Sequence, residues 1–254
     1  MLSLMRGEWY QARKSFAVRL VLVCTIIVGV WFERMAQEYY IANNQLEYAT
    51  VGGCLCSMMQ DTAMCLLYAS VFAGLMIGGA FENRTIQSEI CSGKKRTYVY
   101  LAKMVMYLLV VTVLSLAYWF SGAVVIGLRY GLGTSELIGN LSKPEYLVGM
   151  VIACVLANMS LSAICGMIGF MIRKTGVVMG VCFALILAGG NLLAALLPEN
   201  VSKYFEYTPF RLAYRVLKYD LTWGEIGTTC LFSLLWIGFI LGFGIWRFQR
   251  TELK

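Results

Sequence analysis

The sequence predicts an all-α, polytopic membrane protein with six transmembrane helices and both termini inside, and three observations carry that prediction. Hydrophobic residues make up 59% of the 254, the mean hydropathy is +0.71, and Lys and Arg fall unevenly among the connecting segments. A soluble core of this length cannot bury so much apolar surface. Six runs, at 16–32, 62–81, 98–128, 146–172, 176–197 and 226–246, reach the roughly 17 to 25 residues that a helix needs to cross a ~30 Å hydrocarbon core.

Residues 1–15 precede the first run as an interfacial helix. Leu2, Met5, Trp9 and Ala12 share one side, while Arg6, Arg13 and Lys14 stay in water. The first run is short and carries Arg19, whose stem must snorkel toward the inner headgroups. Glu33 and Arg34 follow it directly and the small residues of a cleavage site are poorly matched, so it reads as an uncleaved span. The outer segment that follows bears Tyr39, Tyr40 and Tyr48, residues suited to the headgroup level. The third run is long enough to be tilted, or broken at Ser121-Gly122. Arg173-Lys174-Thr175 is a very short fourth-to-fifth connection.

Orientation follows from the cations. With the N-terminus inside, the inner segments hold fourteen of the 21 cations and four of the 14 acids, so the two sides net +10 and −3. The positive balance is therefore an orientation signal and calls for no nucleic acid.

Several chemistries lack their residues. The chain has no His, which removes a Ser-His pair and a His-ligated zinc. Most of the nine cysteines lie in spans, and Cys54 and Cys56 are separated by one residue, so a mutual bridge would be strained. They read as small packing residues, with no metal site expected. Asp61, Lys103 and Arg129 fall at span ends, leaving no ionisable residue near a span centre of the kind that coupled transporters keep. Nor is there a G-x-x-x-x-G-K-[ST] loop, so the chain is not expected to be an enzyme, and energy from nucleotide must come from another polypeptide.

Small residues recur at helix-packing spacing: Gly74 and Gly78, Gly238 and Gly242, and Gly176, Gly180, Ala184 and Ala188. Such faces let helices approach closely in lipid, within one subunit or between two. Asn158, Ser162, Cys165 and Gly169 share a face of the fourth span, and Asn191 lies late in the fifth. Interhelical hydrogen bonding is their default role, and lining a substrate path is the sharper one. Within the outer segment 198–222, Thr208-Pro209 opens a basic amphipathic helix with Phe210, Tyr214 and Leu217 on one face and Arg211, Arg215 and Lys218 on the other. It reads as an anchor or as a lid over an exit, with Phe210, Arg211 and Arg215 at an outer gate. Thr222 and Glu225 form a capping box that starts the sixth span.

The densest charge lies at FENRTIQSEICSGKKRTYVYLAK, residues 81–103. From Glu82 to Ser92 the spacing predicts a short helix with Ile86 and Ile90 one turn apart and Gly93 as its stop, followed by Lys94, Lys95 and Arg96, with Thr97 capping the third span. At ~16 Å it is too short to cross a membrane. A two-residue apolar ridge with polar flanks suits a groove on a soluble partner.

The pattern E-N-R-T-I-x-x-E-I-x-S-G-K-K-R, then Y-L-A-K, resembles the segment after the second span in ABC-2 type transporter permeases. Residues 82–96 would then be a cytoplasmic coupling helix and basic loop. Glu82, Asn83, Arg84, Thr85, Ile86, Glu89, Ile90, Gly93 and Arg96 would dock into an ATPase subunit that binds ATP and Mg. Many relatives have Gly where this chain has Arg84. The layout of six spans, interfacial N-terminal helix and outer helices is similar to the same family.

The resemblance implies a permease subunit of an ATP-driven exporter in a bacterial cytoplasmic membrane, paired with a second copy or a homologous permease. Similar permeases confer immunity or resistance to antimicrobial peptides, which suggests such peptides or other amphipathic compounds as cargo. Tyr68, Phe72, Asn158 and Asn191 are the candidate pathway residues. Two other readings are an ATP-independent channel or secondary carrier, and a membrane scaffold or sensor without transport.

Overall fold

The computed structural model describes residues 2–42, 51–130, 144–196, 205–215 and 222–250, which are helical apart from short connections. Five helices are long and apolar enough to cross a membrane: Phe16–Tyr39, Ala63–Glu82, Arg96–Leu128, Glu145–Ile172 and Trp223–Arg250. Apolar side chains on their outer faces, such as Ile27, Val113, Leu235 and Phe239, are exposed, as lipid-facing positions require.

Helix α1 (Leu2–Lys14) ends where the Ser15 amide bonds back to Gln11 and Ala12, and α2 (Phe16–Ala42) departs at once. α2 runs ten residues past the expected end of the first span. Glu33 and Gln37, which read as residues of an outer loop, are buried on that extension. The residues that bury them include α3 (Val51–Gln60), a helix for which the sequence offered no motif. Cys54, Cys56, Met58 and Met59 of α3 are all fully buried.

The second expected span is built in three pieces: α4 (Thr62–Phe72), a π-helical stretch (Ala73–Gly78) and α5 (Gly79–Glu82). The π stretch carries Gly74 and Gly78 against α9 (Thr175–Leu196). A Cβ on Gly74 would lie 2.5 Å from Met179 Cγ and 2.9 Å from the Thr175 carbonyl oxygen, and one on Gly78 would lie 3.0 Å from Thr175 Cα. This G-x-x-x-G face is thus filled from within the chain. α9 has 22 residues, and the portion with described side chains is a shorter apolar helix, Thr175–Leu185.

After the short α6 (Thr85–Cys91), α7 (Arg96–Tyr130) continues through Ser121-Gly122 without a break. Gly122 instead makes room for the Met58 and Glu33 side chains, since a Cβ there would meet both. α8 (Pro144–Ile172) starts on a proline whose missing N–H is no loss in a first turn. The Tyr107 hydroxyl donates within 2.8 Å of the Ala69 carbonyl and 3.1 Å of the Ser162 carbonyl, tying α4, α7 and α8 in the interior.

α10 (Pro209–Arg215) and α11 (Trp223–Arg250) complete the described chain. The Thr222–Glu225 capping box forms as expected: the Thr222 amide donates to the Glu225 carboxylate at 2.9 Å, and the Glu225 amide to the Thr222 hydroxyl at 3.4 Å. Phe81, Tyr100, Phe170 and Phe248 gather α5, α7, α8 and α11 at one end of the bundle, with ring centroids 4.5 to 6.4 Å apart.

Gly74→Leu forces a branched side chain into backbone and Met179, and should cost about 1 to 3 kcal/mol. Gly238→Ala and Gly242→Ala, where a Cβ meets open space, should leave stability unchanged or raise it by up to ~1 kcal/mol through helix propensity. Thermal unfolding of the three variants in one detergent checks the contrast.

Candidate functional site

The charged stretch 81–103 folds as an elbow. α5 ends at Glu82, and Arg84 takes the left-handed conformation with φ 54°, a cost of roughly 1 to 2 kcal/mol for a residue with a Cβ. The helix expected from Glu82 to Ser92 is therefore interrupted and begins again only at Thr85. The Thr85 hydroxyl donates to the Ala80 carbonyl at 2.9 Å across the break. Gly93, with φ 85°, stops α6 as the sequence predicts.

Three anchors hold the elbow. The Glu82 carboxylate accepts from both the amide and the hydroxyl of Thr175, at 2.9 and 2.7 Å, satisfying one of the N–H groups that the start of α9 leaves open. At the other side the Arg96 guanidinium donates to the Gln249 carbonyl at 3.2 Å, and the Gln249 amide donates to the Thr97 hydroxyl at 2.9 Å. Thr97, expected as the N-cap of α7, thus serves as a contact to α11, while the Lys95 carbonyl accepts the first amides.

The third anchor is a buried charge cluster. Lys103, 4% exposed, sits 2.5 Å from Glu8 and 3.7 Å from Glu89. One cation on α7 thereby binds α1 and α6 to the same point. Burial pushes the Glu89 carboxyl above its ordinary value of 4.5; Lys103 opposes that shift and the Glu8 charge adds to it.

These contacts redistribute the expected docking residues. Ile86 is 0% exposed and Ile90 half-buried, both packed on the chain's own core. The apolar ridge expected to fill a partner's groove is turned inward, because α6 must cover the ends of α5 and α7. Glu82, Glu89 and Arg96 are engaged within the chain, and Thr85 is half-buried. What faces outward is polar: Asn83, Arg84, Ser88, Cys91, Lys94 and Lys95, with Gly93 among them.

Among the described residues the pathway and gate candidates do not converge. Phe72 lines a cavity of about 260 Å³ bounded by Glu8, Met76, Asn83 and Lys103, beside the charge cluster. Tyr68 and Asn158 are buried in packed interior, with the Asn158 side-chain oxygen lacking a hydrogen bond. The side chains of Asn191 and Arg215 lie outside the described residues. On α10, Phe210 and Arg211 are half-buried, and Leu212 seats the helix on Ala157 of α8. Burial raises both Cys54 and Cys56, the latter to about 12, so their thiols stay protonated.

The sequence reading missed the charge cluster: Lys103 read as a span-end cation and Glu89 as a docking residue, and nothing in the sequence joins either to Glu8. A helical protein with several helices able to cross a membrane is the class that this fold defines. No family model matches the chain, and no curated protein matches it.

Lys103→Met leaves two carboxylates without their cation and should destabilise by about 3 to 5 kcal/mol, most of which Glu8→Gln should restore in the double variant. Unfolding of the single and double variants measures the coupling. The Glu89 carboxyl, raised in the folded state, favours folding fully below pH 4.5 and loses that contribution as pH rises through its folded value. Glu89→Gln should therefore match the wild type near pH 4 and be the more stable of the two at pH 8.

Proposed function

We propose that this chain is the transmembrane permease subunit of an ATP-driven ABC exporter of a bacterial cytoplasmic membrane. In this reading it has six spans with both termini inside, α9 being the fifth, and works as a pair of permeases with separate ATPase subunits that hold ATP and Mg. The observation that carries the proposal is the elbow: a short helix outside the apolar spans, joined by Glu89 to Lys103 of α7 and through that cation to Glu8 of α1, and flanked by Glu82, which holds Thr175 of α9, and by Arg96, which holds Gln249 of α11. A topogenic loop needs cations alone; it has no use for a helix with three anchors.

The anchors suggest the mechanism. Movement of α6 by a nucleotide-driven ATPase would be passed to α9 by Glu82, to α1 and α7 by Lys103, and to α11 by Arg96. Because Ile86 and Ile90 face inward, recognition would rest on Asn83, Arg84, Ser88, Lys94 and Lys95, and the complementary cleft would be acidic. The family resemblance supports antimicrobial peptides or other amphipathic compounds as cargo.

The chain should co-purify with a soluble subunit that carries a P-loop sequence. Combined Arg84→Glu and Lys95→Glu substitutions, both at exposed positions, should weaken that association by about tenfold, ~1.4 kcal/mol, and lower permease-stimulated ATPase activity in proportion. Reconstituted transport that runs without ATP and without such a subunit would instead favour a channel or carrier, and absence of transport a scaffold or sensor.

A further inference from the structure

The far end of α2 holds a polar group that the elbow does not use. Glu33 lies about 26 Å along the helix from Phe16, near the far boundary of a hydrocarbon core. It is 1% exposed, and Gln37, one turn on, is 6% exposed. The Cys54 thiol and the Gln37 amide are its polar neighbours. Even so, neither oxygen of Glu33 and neither amide atom of Gln37 is in a hydrogen bond of normal geometry.

Both side chains line a cavity of about 300 Å³, together with Arg34, Glu38, Ile41, Val125 and Ile126. Arg34, Glu38 and Ile41 are exposed, so the cavity opens at the protein surface. Among the described residues no ion pair joins Arg34 to either carboxylate. A buried carboxyl in such a place is sustained by a proton or by a cation brought from outside.

We infer that Glu33 and Gln37 form a binding site for a protonated primary amine carried on an apolar body. The three N–H donors of an ammonium match the two carboxylate oxygens and the Gln37 carbonyl. Ile41, Val125 and Ile126 receive the apolar part. A divalent metal ion fits less well, since the described residues hold no group of three or more His, Cys, Asp or Glu placed to ligate one. An aminolipid headgroup and a free amphiphilic amine offer the same chemistry.

The test uses the full-length chain in nanodiscs of phosphatidylcholine and phosphatidylglycerol, with para-fluorophenylbutylammonium as probe and the matching alcohol as control, read by fluorine NMR. The site predicts saturable binding of the ammonium and not of the alcohol, weakened about tenfold or more by Glu33→Gln. Val125→Phe, which fills the cavity without touching the carboxyl, should abolish it. Displacement by added phosphatidylethanolamine supports the site and assigns it to a lipid headgroup; persistence of the signal supports it as a site for a free amphiphile. Equal binding of the alcohol, or of a folded Glu33→Gln variant, overturns the inference. If Glu33→Gln does not fold, undiminished binding by Val125→Phe overturns it equally. No nucleotide or ATPase subunit enters the measurement, so its outcome is separate from the exporter reading.

Discussion

The end of the bundle that holds the elbow depends on one buried cation. Lys103 is nearly removed from solvent on α7, and its charge is tolerable there because the Glu8 carboxylate, 2.5 Å away, supplies the field that water would otherwise supply, with Glu89 at 3.7 Å beside it. Those carboxylates come from α1, thirteen residues long, and α6, seven residues long. Neither helix is long enough to hold its place by its own backbone hydrogen bonds. The ion cluster fixes where both short helices lie, and with them the side chains that close the ends of α5 and α7.

Placement of α6 in turn constrains the neighbouring helices. With Ile86 pressed inward, α5 must end at Glu82, which brings that carboxylate to the open N–H of Thr175. The same approach needs bare backbone on the π-helical stretch, because Gly74 and Gly78 lie where any Cβ would strike Thr175 or Met179. Electrostatics at the elbow and close packing within the apolar layer therefore specify one relative position of α4, α5 and α9. Either alone would leave those helices free to slide, since lipid gives apolar faces no preference for each other over acyl chains.

Five of the six expected spans and the elbow's location were legible because both are local in sequence: apolar length, Gly93 as a stop, the Thr222–Glu225 box and the density of charge at 82–96 need no tertiary knowledge. Burial direction was not legible. Ile86 and Ile90 at one-turn spacing announce an apolar face but not whether that face meets the chain itself or a partner. Glu33 illustrates the opposite error, since a carboxylate after an apolar run reads as a loop residue, and only the packing of α3 and the gap at Gly122 bury it. Left-handed Arg84 was illegible for a similar reason. Its conformation goes with the packing of α6 on the core, a contact distant in sequence, while the Thr85 hydroxyl closes the break on Ala80 five residues back.

An inward-facing ridge changes how the elbow can work in the proposed exporter. An apolar plug in a groove resists separation but, being non-directional, tolerates rotation. Cations such as Arg84, Lys94 and Lys95, set on the turns at either end of α6, belong to an elbow held to the neighbouring helices and so are placed relative to them. A partner that pairs with them is thereby registered to the bundle, and its displacement has few soft degrees of freedom in which to dissipate. Surface charges alone hold weakly and are screened by salt, so firmness of coupling would come from the buried side of the elbow and specificity from the exposed side. In the proposed exporter that division of labour would also account for the costly groups on both sides: a buried Lys103 where rigidity would be needed, and a strained Arg84 where recognition would be.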